Sequence, residues 1–175
     1  MATTAAQISL EAYLTSSYER DCDFVDGVLE ERTGGEYDHN LVQRAIILWF
    51  YRHEKEWPIR SIQEQRTKVA STKVRIPDVC VFSRDVPIEQ VFTRPQLIAI
   101  EVLSPEDRHS RIEARMSNFR EFGVPNLWVV DPETHTGWDL SDGNWVRKER
   151  FEVAGSPIYL SLTELFAKID EDNAD

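Results

Sequence analysis

Two carboxylates stand at the ends of two apolar runs. Asp78 opens Val79-Cys80-Val81-Phe82, and Glu101 closes Leu97-Ile98-Ala99-Ile100. Ionised carboxylates are rarely buried unless they are paired or bind a metal. The connecting segment 84–95 is rich in polar and turn residues. If the runs pair as an antiparallel hairpin symmetric about its centre, Asp78 falls opposite Glu101, although a long loop alone does not fix register. Two bare carboxylates so placed repel, and one pKa rises. A divalent cation removes that conflict, and oxygen-only ligands favour Mg²⁺ or Mn²⁺. Such an ion polarises a phosphoryl oxygen and a bound water. The alternative is two strand-end acids in water or in salt bridges. On the repulsion argument, Asp78→Asn is expected to be neutral or stabilising without metal.

Other candidates are weaker. Glu64 is a possible further acid on the strand before Asp78, and Glu30 or Glu31 can face the site from beyond a hairpin turn. Ser104 follows the Glu101 run and can bond backbone or phosphate. Asp131, before Pro132, reads as a turn former. Arg60, Arg66, Lys68, Lys73 and Arg75 face only Glu64 in sequence, which reads as a solvated strand edge or as a phosphate-facing stripe. The tryptophans read as core.

The elements that must position these residues follow from periodicity. Ser9 caps a short helix to about Tyr18. Residues 21–33 alternate about Asp26-Gly27, a hairpin-turn pair that predicts two strands. Residues 37–56 have helical periodicity with Asp38 as N-cap, placing His39, Val42, Ile46, Trp49 and His53 on one face. Residues 59–69, 77–83 and 96–103 read as strands. Residues 109–122 read as a helix closed by Gly123. Residues 126–131 and 143–153 give further strands, and 162–169 a last helix. The pattern is a mixed α/β arrangement around one sheet, a single domain over 1–175 with a frayed acidic tail at 170–175.

The chain carries a net charge of −11, with 41% hydrophobic residues. That charge argues against a general nucleic-acid binder. It is concentrated, however: residues 1–36 carry −6 and residues 170–175 carry −4. The N-terminus lacks the basic and apolar regions of a signal peptide. No apolar run approaches the ~20 residues of a membrane span. Two isolated cysteines, Cys22 and Cys80, point to reduced thiols in a cytoplasmic protein.

The stretch "IPDVCVF…IAIEVLSPEDR…GVPNLWVVDP", with "DFVDGVLEE" and His39 upstream, resembles the Uma2 family, also called DUF820, of the PD-(D/E)xK nuclease superfamily. The resemblance runs from about Ser9 to Asp131 and more loosely to Leu165. It implies a restriction-endonuclease-like core, a mixed central sheet flanked by helices. It also implies Mg²⁺-dependent hydrolysis of DNA phosphodiesters, with Asp78 and Glu101 as metal ligands. His39 matches a family histidine that would contact a metal-bound water or a phosphate; the plainer reading is a satisfied helix-start histidine. The superfamily lysine, two residues after the Glu, is replaced by Leu103. The lysine and tyrosine that family members carry on the next helix are replaced by Arg115 and Phe119. Arg115 can clamp a phosphate from the edge of the site but cannot act as a base, its pKa exceeding ~12. A homodimer would serve the cutting of two strands. The reading from another class is a nuclease-fold binding or regulatory protein that has lost catalysis.

Overall fold

In a computed structural model, residues 7–18, 21–32 and 35–174 are described. A six-stranded sheet forms the centre. Its order is β10 (Val146–Lys148), β9 (Thr136–Asp139), β8 (Asn126–Asp131), β7 (Ile98–Val102), β6 (Val79–Ser83) and β3 (Ile59–Gln63). Only the β7–β8 ladder in this sheet is parallel, so the sheet is mixed. A parallel pair needs a crossover, and helix α3 (His109–Phe122) supplies it. Gly123 ends α3 at φ 103°, a left-handed backbone that only glycine adopts without a Cβ penalty.

Strand alternation sorts the core into layers. Ile98, Ile100 and Val102 of β7, with Trp128 and Val130 of β8, point to one face. There they meet Val42, Ile46 and Phe50 of α2 (Tyr37–His53) and Leu165, Phe166 and Ile169 of α4 (Leu162–Asn173). Ala99, Leu127 and Val129 point to the other face and meet Ile112, Met116 and Phe119 of α3. Glu101 shares the parity of Ala99, and Asp78 that of Cys80, so both acids belong to the α3 side.

A second sheet carries Asp23, Glu30 and Arg75. Its order is β2 (Val28–Glu31), β1 (Cys22–Val25), β5 (Lys73–Arg75) and β4 (Thr67–Ala70). The β1–β2 hairpin turns at Asp26 and Gly27, with φ of 50° and 89°. Helix α1 (Leu10–Thr15) is capped by Ser9, whose Oγ accepts from the Ala12 N–H at 3.0 Å. Strands β11 (Arg150–Glu152) and β12 (Tyr159–Ser161) form a small ribbon.

Several expectations need correction. The strand expected over 59–69 is two strands in different sheets, broken where Glu64 takes φ 52° and its N–H donates to the Asp78 carbonyl. The single strand expected over 143–153 is likewise split, into β10 and β11. The cap of α2 is Glu36, not Asp38, and it makes no side-chain cap bond. The tail does not fray at residue 170: α4 continues to Asn173.

Candidate active site

Strands β6 and β7 pair as Val79↔Ile100, Cys80↔Ala99 and Val81↔Ile98. The same register carried one step further sets Asp78 opposite Glu101. Both are buried, at 3% and 4% exposure, and both line one cavity of about 10 Å³, roughly the room of one water. Arg32, Asp107, Arg111 and Arg115 complete much of its polar wall.

The acids are not bare. Asp78 Oδ2 accepts from the Val102 N–H at 2.8 Å and lies 3.3 Å from His39 Nε2. Because an ionised Asp78 can only accept, His39 carries its proton on Nε2. Asp78 Oδ1 accepts from Arg32 Nη2 at 2.6 Å. Arg32 also reaches Glu64, 3.5 Å from its Nη1. Gln43 Nε2 donates to the Asp78 carbonyl at 2.9 Å. Glu101 Oε1 accepts from Arg115 Nη2 at 2.7 Å.

Arg115 does not stand at the edge. It is 4% exposed and is held by the Asp23 carboxylate, by the Ile76 carbonyl at 2.8 Å and by Glu101. Asp23 is fully buried on β1 and takes three donors, Arg115, Arg75 and the Ile76 N–H. Arg75 also bonds Glu30 at 2.6 Å and Asn118 at 2.9 Å. Three buried carboxylates, Asp23, Asp78 and Glu101, thus face the guanidinium groups of Arg32, Arg75 and Arg115. The partly exposed Glu30 adds one further negative charge.

The protonation pattern follows from this layout. For Asp78, burial is the largest single influence and raises its pKa. The His39 bond, the Arg32 charge and the Val102 N–H together outweigh burial and hold Asp78 below the usual carboxylate range. Glu101 shares its arginine with Asp23 and sits beside ionised Asp78. Burial, aided by the Asp78 charge, pushes it up to about 7. His39 is lowered by burial but raised more by Asp78, for a net upward shift.

Sequence reasoning brought forward Asp78, Glu101, Arg115 and His39, and the fold gathers all four. Glu64 comes to the rim through Arg32. Glu30 turns to Arg75, while Glu31 offers its backbone carbonyl to Arg111. Ser104 is buried beside His39 on a neighbouring cleft; its Oγ and His39 Nδ1 lack partners among the described residues. Asp131 forms the expected turn, accepting from the Glu133 N–H at 2.9 Å. Within the basic segment, Arg66 pairs with Asp21, Lys73 with Asp26, and Arg75 is buried. Arg32 and Asp23 were missed. Asp23 alternates with Cys22 and Phe24 in an apolar strand, which was a usable signal; nothing in the sequence marks Arg32.

Two acids at adjacent strand ends of a mixed sheet, with a helix laid over them, define the site of a mixed α/β domain. The chain belongs to the Uma2 family, whose description is "Putative restriction endonuclease" and whose profile matches residues 10–165. Among solved structures it is similar to a protein of Anabaena variabilis described as "a putative nuclease belonging to DUF820". The TM-score is 0.78 at 18% identity, over 93% of this chain and 99% of that one. This likeness shows that the two chains share one fold, a mixed sheet flanked by helices. No curated protein matches. Among the described residues, no helix is long and apolar enough to cross a membrane.

Proposed function

We propose that the protein is a divalent-metal-dependent endonuclease that hydrolyses DNA phosphodiesters, with water as nucleophile and the 3′-oxygen as leaving group. The observation carrying this reading is the meeting of Asp78 and Glu101 over one cavity, on paired strands, in a family described as nucleases. No cluster of three His, Cys, Asp or Glu side chains forms among the described residues. Mg²⁺ and Mn²⁺ do not require one, because they bind through one or two carboxylates and keep several waters. Glu101 also has less positive charge around it than its burial demands. The oxygen donors are therefore of the right kind, with Asp78 and Glu101 as the holding residues once Arg32 leaves Asp78 Oδ1. When bound, the cation would supply Lewis-acid polarisation of a phosphoryl oxygen and of the attacking water.

The chain's own groups prepare that site. His39 and the Val102 N–H fix one oxygen of Asp78, which sets the carboxylate plane. Arg115 fixes Glu101 and ties the central sheet to β1 through Asp23. It acts as scaffold: three of its N–H donors bond the protein, and a guanidinium takes no proton near neutral pH. A homodimer would bring a second site to the second strand.

The experiment is plasmid nicking with Mn²⁺, comparing wild type with Glu101→Gln and Asp78→Ala. Loss of nicking in both variants supports the reading. Equal nicking by all three marks a contaminant and leaves the second reading, a nuclease-fold binding module. One observation favours that second reading: each buried carboxylate already has an arginine.

A further inference from the structure

The three arginines of the site are not held alike: Arg75 and Arg115 are buried, whereas Arg32 is part-buried. Arg115 has three protein partners, Asp23, Glu101 and the Ile76 carbonyl. Arg75 has Asp23, Glu30 and Asn118. Among the described residues, Arg32 has one close bond, to Asp78 Oδ1 at 2.6 Å, and a looser ion pair at 3.5 Å to Glu64, whose side chain is 48% exposed. Asp78 is asymmetric in the same sense. Its Oδ2 is engaged by a backbone N–H and by His39, whereas Oδ1 meets Arg32. A cation could reach Oδ1 without disturbing the backbone or His39, but only by replacing the guanidinium. Two positive charges on one oxygen repel strongly where water is scarce. The cavity, at about 10 Å³, has no room for a partly hydrated ion while Arg32 lines it.

We infer that Arg32 is an exchangeable internal counter-ion. It neutralises Asp78 until a divalent cation displaces it from Oδ1, and it then turns toward Glu64 and the rim to face the substrate phosphate. This rests on the metal-dependent reading above. It assigns to Arg32 the phosphate contact that the sequence pointed to at Arg115. The exchange is a ligand substitution: one N–H···O bond opens, one oxygen becomes available, no electron moves, and Glu101 releases to solvent any proton it holds when it takes the cation. Arg32 keeps a carboxylate partner throughout, because Glu64 already lies beside its second nitrogen.

The test is calorimetric titration of Mn²⁺ alone into wild type, Arg32→Gln and Arg32→Lys, with the fold of each checked by circular dichroism. Removing a charge-assisted competitor predicts Mn²⁺ affinity about tenfold or more above wild type for Arg32→Gln. Arg32→Lys, which lacks the guanidinium fork, should fall between them, and it decides the matter if Arg32→Gln does not fold. The second measurement is binding of a short DNA duplex across a salt series with Ca²⁺. Arg32→Gln should bind more weakly, with a salt slope smaller by about one phosphate contact. Tighter Mn²⁺ binding with weaker DNA binding supports the exchange. Unchanged Mn²⁺ affinity in variants of a wild type that does bind Mn²⁺ overturns the role of Arg32 and leaves the nuclease reading standing. No Mn²⁺ binding by any of them at millimolar concentration overturns both.

Discussion

Ile100 and Glu101 are neighbours on β7, exposed to 0% and 4%, and the forces acting on them are opposite in kind. Ile100 faces α2 and α4 among Val79, Trp128 and Phe50. Its contribution is area removed from water, without direction or charge. Glu101 faces α3, where burial works against it and Arg115, with a smaller contribution from Arg32, offsets only part of the cost. The same strand therefore carries a stabilising residue and a destabilised one. The apolar face fixes the register, and the register in turn brings Asp78 and Glu101 together against their repulsion. Stability in one layer is what holds the strain in the other.

The comparison breaks most severely at Asp23. Replacing it with Asn leaves Arg75 and Arg115 short of a buried counter-charge, and the expected cost is about 3–5 kcal/mol. Urea unfolding measures it; a loss under about 1 kcal/mol would mean that the two guanidiniums find other acceptors.

Next comes Asp78→Asn. Repulsion between bare acids predicts a neutral or stabilising change, but Asp78 accepts from Arg32, His39 and the Val102 N–H. The expected outcome is now destabilisation by about 1–3 kcal/mol without metal. Thermal melts in chelator decide between the two accounts.

Smaller still is a pH effect confined to the ionic layer. Glu101, raised from its ordinary 4.5 to about 7, holds a proton in the folded chain that the unfolded chain has lost. Its effect on stability therefore falls as pH rises through that window. His39, raised from 6.5, acts in the same direction: its contribution is complete below its ordinary value and is lost as pH passes its folded one. In chelator, the wild type should melt lower at about pH 8 than at about pH 5.5, and Glu101→Gln should show a smaller drop. Equal drops would place Glu101 ionised across the range.

The smallest change belongs to the apolar layer. Ile100→Val should cost about 0.5–1.5 kcal/mol, and by the same amount at both pH values. A cost that varies with pH would show that the two layers are coupled through β7.

Local pattern alone determined a good part of this protein. The Asp26-Gly27 hairpin, the helix ended by Gly123 and the strands around Asp78 and Glu101 are set by turn chemistry and periodicity. Symmetry about the 84–95 loop anticipated the observed β6–β7 register. The four candidate residues were legible too, Asp78 and Glu101 from their spacing and His39 and Arg115 from the family resemblance. What only the tertiary structure decided is charge pairing. Asp23 and Arg115, 92 positions apart in the chain, meet because α3 packs against the second sheet, to which β1 belongs. Arg32 and Asp78 meet because the β1–β2 hairpin closes the rim of another sheet. The strand expected over 59–69 divided between two sheets for the same reason: tertiary pairing of Thr67–Ala70 with β5 overrode a continuous local pattern. Hydrophobic periodicity is repeated along a segment and so can be read there. An ion pair depends on two single side chains brought together from distant segments, and no local pattern records which of the chain's 20 basic residues will reach which of its 31 acids.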